Sequence, residues 1–140
     1  MKGIFEDKMY AKRILREIVL LKRLKHPYIV EVIDIIQPIN REIFDEIYLV
    51  LELADSDMKK MIESEYNLTL EEVKNLTYKL LCCLNYLHSA KIIHRDLKPD
   101  NILLTNTINQ TTKEKNPVKE WNIKICDFGL ARSMVGVESD

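Results

Sequence analysis

Apolar residues recur at three- and four-residue intervals along residues 7–25, DKMYAKRILREIVLLKRLK, where Ile14, Leu15, Ile18, Leu21 and Leu24 share one side of a helix. This spacing predicts a helix with one buried stripe, and Pro27 behind His26 predicts its end. The rhythm then changes. Residues 28–37 (YIVEVIDIIQ) and 46–53 (EIYLVLEL) are β-branched runs separated by a polar connector with Pro38 and Asn40, which predicts an antiparallel pair. Asp55, Ser56 and Asp57 offer a cap to a short helix, MKKMIESEY, with Met58, Met61 and Ile62 on one side. Leu68, Thr69, Glu72 and Val73 stand in register for a hydrophobic staple and a capping box. From there Leu76, Leu80, Leu84 and Leu87 carry a stripe of about four turns, ending near Ser89, with Cys83 read as a small buried residue on or beside it. Downstream, NILLTN and WNIKICDFG predict two short strands around a polar excursion, residues 105–120, which has little to bury and should be solvated and mobile. The final stretch, SMVGVESD, has no periodicity.

Composition narrows the class without naming a chemistry. At 46% hydrophobic and 31% charged, with three glycines and four prolines in 140 residues, the chain reads as globular. Its net charge of −1 supplies no basic field for nucleic acid or an anionic membrane. No apolar run approaches the roughly 20 residues of a membrane span, and MKGIFEDKMYAKR lacks the core of a signal peptide. Cys82, Cys83 and Cys126 are odd in number and include a neighbouring pair, which points to a reducing compartment. Their spacing from His26, His88 and His94 is not that of a zinc site.

The candidate chemistry sits after residue 93, where HRDLKPDN (94–101) gathers an imidazole, a guanidinium, an ammonium, an amide and two carboxylates. Asp96 and Asp127 each follow an apolar segment, so each carboxylate belongs at the rim of a core and needs a partner. Magnesium takes hard oxygen ligands and keeps several waters, so Asp127 with the Asn101 amide suits it if substrate phosphates complete the shell. Asp96 is then free to accept a hydroxyl proton, with Lys98 placing positive charge nearby. On spacing alone this chemistry is only weakly supported, and paired surface or structural acids are the favoured account of these residues.

HRDLKPDN followed by DFG at 127–129 resembles the catalytic loop and metal-binding motif of eukaryotic protein kinases. Within them the chain is most similar to mitogen-activated protein kinases, through KRILREI, DIIQP, FDEIYLVLELADSD, YLHSAKIIHRDLKP and KICDFGLAR; cyclin-dependent kinases share fewer of these segments. The resemblance implies an α+β, two-lobe fold present in part: residues 1–53 as part of the N-lobe, with its regulatory helix and two strands, then the hinge and residues 54–140 as part of the helical C-lobe, with a loop insertion within 105–120. It implies an ATP-dependent serine/threonine kinase in which Asp96 accepts the substrate proton and Lys98 steadies the phosphoryl group. Asn101 and Asp127 would hold Mg²⁺. Around ATP it implies Glu17 facing a phosphate-binding lysine, Leu51 as gatekeeper, hinge backbone at Glu52 and Ala54, Asp57 at the pocket mouth and Cys126 beside the nucleotide. Arg95 and Arg132, with Arg13 or Arg16, would bind a phosphorylated segment. The implied partners are protein substrates with Ser or Thr and an upstream activating kinase, in the cytoplasm or nucleus, with no nucleic acid and no membrane.

Two departures stand against that pattern. The three glycines, Gly3, Gly129 and Gly136, make no G-x-G-x-x-G loop, Lys2 lies too close to Phe5 to replace the phosphate-binding lysine, and the T-x-Y and A-P-E segments are absent. The expectation is therefore an active parent, with these 140 residues alone inactive and marginally folded; the contrasting reading is a noncatalytic pseudokinase or interaction module. In addition, Asn101 and Asp127 are 26 residues apart, about twice the family's usual separation, which a hairpin loop absorbs with the flanking strands in register.

Overall fold

Asp7 opens the first helix, its carboxylate accepting from Met9 N at 2.8 Å, and the helix α1 runs Lys8–Arg23. The computed structural model describes residues 3–36, 38, 40, 44–108 and 119–134. Helix α1 ends before the predicted stop at Pro27 because Leu24 turns to extended backbone and enters the core. Ile14 and Leu21 are its buried positions, whereas Leu15 is 61% exposed. The helix touches its neighbours along a narrow line, and Leu15, about 100° round from Ile14, misses it.

The two predicted strands form an antiparallel pair, but shorter: β1 is Val32–Ile36 and β2 is Tyr48–Leu51, with an irregularity between Val32 and Asp34. The front of the first run is used elsewhere. Val30 N donates to Ile125 O (3.0 Å) and Ile125 N to Tyr28 O (2.9 Å), so Tyr28–Val30 lies along a later strand.

A second sheet, three antiparallel strands in the order β3-β5-β6, carries the site. Strand β3 (Ser56–Asp57) leads directly into α2 (Met58–Glu63), which Asp57 caps at Lys60 N; Met61 is buried, while Ile62, expected beside it, is exposed. Strand β5 (Ile102–Ile108) pairs with β6 (Lys119–Ile125) from Ile102↔Ile125 to Ile108↔Lys119. The register across the long connection is kept as expected. Residues 105–108 and 119–120 continue the ladder instead of belonging to the excursion, and residues 109–118 lie outside the described residues, as do Lys2 and 135–140.

Helix α3 (Leu70–Ser89) begins with the predicted capping box: Thr69 Oγ1 accepts from Glu72 N, and the Glu72 carboxylate accepts from Thr69 N. Its buried positions, Leu76, Lys79, Cys83 and Leu87, follow the helical period and face β6, leaving Leu80 and Leu84 half-buried beside them. Leu68 and Val73 line one rim of an open apolar hollow of about 170 Å³ with Met58, Leu76, Ile102 and Ile123. After α3, β4 (Ile92–Ile93) pairs with β7 (Arg132–Ser133), and a 3₁₀ turn, Pro99–Asn101, leads into β5. One core cluster joins Leu21 and Leu24 to Cys83, Leu87, Ile125 and Phe128; a second holds Met61, Leu76, Ile102, Leu104 and Ile123.

Candidate active site

The polar loop is held from beneath by His94. Its ring is 3% exposed, Asp96 N donates to Nδ1 (3.3 Å), and Nε2 lies 2.9 Å from Cys126 O. With Nδ1 accepting, the proton sits on Nε2 and is donated to the carbonyl. The ring meets Phe128 edge to face at 4.8 Å. His94 is thus a strut between two chain segments and has no lone pair left for base chemistry.

On this strut Asp96 is oriented by two neighbours. Lys98 Nζ lies 3.1 Å from Asp96 Oδ2, and Asn101 Nδ2 donates both to the same oxygen (3.0 Å) and to Asp96 O (2.8 Å). The Lys98 hydrogen bond and charge, followed by the Asn101 hydrogen bond, hold the Asp96 carboxyl below its ordinary value; Asp96 in turn raises the Lys98 ammonium. Asn101 is buried, and with both amide hydrogens engaged its oxygen Oδ1 is the atom left for a cation.

Asp127 arrives beside this cluster by strand geometry. Cys126 N donates to Asn101 O at 3.1 Å, immediately beyond the Ile102↔Ile125 pair, so the residue before Asp127 is bonded to Asn101 itself. Asp127 has φ 59°, a left-handed conformation that Asp tolerates better than most residues, and its Oδ1 accepts from Gly129 N at 3.3 Å. Arg95, with φ 69°, shares that conformation one residue before Asp96. Backbone held in this sparsely populated region gathers at functional sites. The oxygens of Asn101 and Asp127 are hard donors of the kind that a magnesium keeping several of its waters takes.

Helix α1 closes one side. Arg16 Nη1 donates to Gly129 O, and a Cβ placed on Gly129 would stand 3.6 Å from Arg13 Cβ, so the helix rests directly on the turn after Asp127. Burial and then the charges of Arg132, Arg13 and Arg95 lower the Arg16 guanidinium from its ordinary value, which marks four arginines converging there. Glu17, half-buried, has its carboxyl pushed up by burial and by Asp127. Among the described residues no cation forms an ion pair with it.

The hinge residues follow the strand end. Glu52 N donates to Glu31 O (3.0 Å), while its carboxylate accepts from Glu31 N and from Lys124 Nζ, both at 2.8 Å; its carbonyl is the backbone group left for a ligand. Leu51 is partly exposed opposite Val32, and Ala54 is half-buried at the passage to β3. Asp57, expected at the pocket mouth, is engaged by Lys60 through both backbone and side chain as the cap of α2.

The protein kinase domain family matches residues 1–139. The chain belongs to that family. It is 43% identical over 129 residues to mitogen-activated protein kinase homolog NTF6 of Nicotiana tabacum, covering 92% of this chain and 31% of that protein. Over 136 residues it is 40% identical to mitogen-activated protein kinase 7 of Arabidopsis thaliana (97% and 33%), and over 129 residues 44% identical to mitogen-activated protein kinase 13 of Oryza sativa subsp. indica (92% and 23%). The chain spans about a quarter to a third of the length of these relatives.

In this kinase chain the loop residues Asp96, Lys98 and Asn101 are brought together, with Asp127 adjacent through the Cys126 hydrogen bond. Cys126 is different from a reactive thiol: burial, then the carboxylates of Asp127 and Glu17, push it up to about 11 and keep it protonated at neutral pH. Sequence reasoning missed the Lys59–Asp100 pair that ties α2 to the catalytic loop (3.1 Å) and the buried Lys79 under β6. Lys79 was findable: it is three residues past Leu76 and four before Cys83, on the face the period assigns to the core.

Proposed function

We propose that the chain is the central catalytic segment of an ATP-dependent protein serine/threonine kinase of the mitogen-activated type, acting on the hydroxyl of a protein serine or threonine. The observation that carries this reading is the double donation of the Asn101 amide to Asp96, which ties a proton acceptor to a cation-binding oxygen beside Asp127. Magnesium-bound ATP supplies the transferable phosphoryl group and the charge that neutralises its oxygens. Asn101 Oδ1 and the Asp127 carboxylate would hold the metal. Asp96, kept ionised by Lys98, would orient the substrate hydroxyl and take its proton, and Lys98 would add positive charge where negative charge gathers. The Glu52 carbonyl and Ala54 N–H would meet adenine. Arg13 and Arg16 of α1, with Arg95 and Arg132, would receive a phosphate placed by an upstream kinase, ordering the segment beyond Arg132 through charge-assisted hydrogen bonds.

Transfer of labelled γ-phosphate to a protein serine or threonine, comparing the parent sequence with Asp96→Asn and Asp127→Asn, tests the reading. Each substitution is expected to lower the rate by about 10²-fold or more. Unchanged rates in both would overturn it. A second, noncatalytic reading is favoured by Glu17, whose carboxyl is raised by burial and by Asp127 and which pairs with no cation among the described residues; absence of magnesium-dependent nucleotide binding in the parent sequence would select it.

A further inference from the structure

Lys79 is one of three buried polar residues among those described, and it is the one that no part of the proposed chemistry uses. An ammonium removed from water must be paired and hydrogen-bonded. Lys79 Nζ meets Trp121 O at 2.7 Å and Glu120 Oε1 at 3.0 Å, and Asn75 Nδ2 reaches the same carboxylate oxygen at 3.1 Å. Both partners are at the start of β6, and both donors are on α3.

Strand β6 needs such a fixing point. Ten residues separate Ile108 from Lys119, and a connection of that length does not dictate register as a two-residue hairpin turn does. Burial does not settle it either. A slip by one residue would turn Ile123 and Ile125 outward, but a slip by two keeps alternate residues inward. Such a slip would shift Asp127 relative to Asn101 by about 7 Å, at 3.4 Å per residue. The bonds of Ile125 to Tyr28 and Val30 are backbone bonds, which any residue can make. Lys79 is selective, because it needs a carboxylate and a carbonyl from consecutive residues at one height on the strand. Lys124 with Glu52 is a second selective contact, at the far end of β6.

We propose that Lys79 is a positioning residue whose contact with Glu120 and Trp121 O fixes the register of β6 and so keeps Asp127 beside Asn101 despite the long excursion between the strands. Its meaning for catalysis rests on the reading of Asn101 and Asp127 as metal ligands; its meaning for register does not.

Amide hydrogen exchange on the 140-residue chain tests this in four proteins: wild type, Lys79→Met, a short hairpin with residues 108–119 replaced by Asn-Gly so that the turn closes on the hydrogen-bonded pair Thr107↔Glu120, and the two changes combined. Lys79→Met is expected to speed exchange at Leu103, Lys124 and Cys126, whose amides lie in the β5–β6 ladder, by about tenfold or more. In the short hairpin, whose turn fixes register by itself, the same substitution is expected to have little effect at those amides. Equal acceleration in both backgrounds would reduce Lys79 to ordinary packing and overturn the proposal, as would unchanged exchange at Cys126 in the long-loop protein. If Lys79→Met does not fold, its folding in the short hairpin supports the proposal and failure there too overturns it. The readout is an amide and not turnover, so exchange decides the register by itself, while phosphoryl transfer by the parent sequence decides the kinase reading.

Discussion

Glu17 is the residue at which burial and like charge act together against the folded chain. A carboxyl raised by burial and by Asp127 binds its proton more tightly folded than unfolded. Its contribution to stability therefore falls as pH rises from the ordinary glutamate value of 4.5 through the raised folded value, and stays lower above it. Glu17→Gln removes that fall: the thermal midpoint at pH 7 should rise by about 2–4 °C, the scale of a single relieved charge in a small domain. Below the ordinary glutamate value the two proteins should melt together, and a midpoint at pH 7 no higher than wild type would contradict the account. Residue-scale legibility was uneven for a related reason. Asp96, Lys98 and Asn101 were legible as a polar group because they lie within one short segment, HRDLKPDN, and the roles proposed for them and for Asp127 came from its resemblance to a family and not from spacing. What Glu17 faces, and how Cys126 is protonated, depend on which groups the fold brings near them, and spacing holds no such information.

Elements were most legible where the local sequence alone sets the boundary. The capping box at Thr69 and Glu72 is self-contained, and it forms as the pattern predicts. Helix α3 presents the buried face against which β6 is laid, so its first turn matters beyond itself. Thr69→Ala removes the acceptor for Glu72 N and should destabilise the chain by about 1 kcal/mol, within the roughly 0.5–2 kcal/mol seen for lost caps. A urea titration with unchanged slope and a lower midpoint would show this, and an unaltered midpoint would mean that the helix start contributes nothing to global stability. Tertiary contacts decided the rest. The run 28–37 has strand propensity throughout, yet Tyr28–Val30 pairs with β6 while Val32–Ile36 pairs with β2. Period alone also put Leu15 and Ile62 on buried faces, and both are exposed among the described residues.

Across the whole molecule, stability should follow where the core lies. Strands β5 and β6 have Ile102, Leu104, Ile123 and Ile125 buried against α3 and its surroundings, and three of these residues are within 1% of full burial. Strands β1 and β2 form a two-stranded sheet with Ile33, Ile36, Tyr48, Val50 and Leu51 exposed. An isolated strand pair is marginal in water, and local opening free energy tracks buried apolar contact. Native-state hydrogen exchange across a urea series should therefore separate two classes of amide. Those of β1 and β2 should exchange through a small opening that depends little on urea, while Leu103, Lys124 and Ile125 should exchange only through global unfolding. In the absence of denaturant the gap should exceed about tenfold in rate. Equal protection in the two sheets would mean that the exposed apolar face of β1 and β2 is covered in solution, and self-association measured by sedimentation would then identify a second copy as the cover. Unequal protection would locate the stable part of the chain around Asn101, Cys126 and Phe128, so that the residues assigned to metal and proton transfer stand on the portion that opens least.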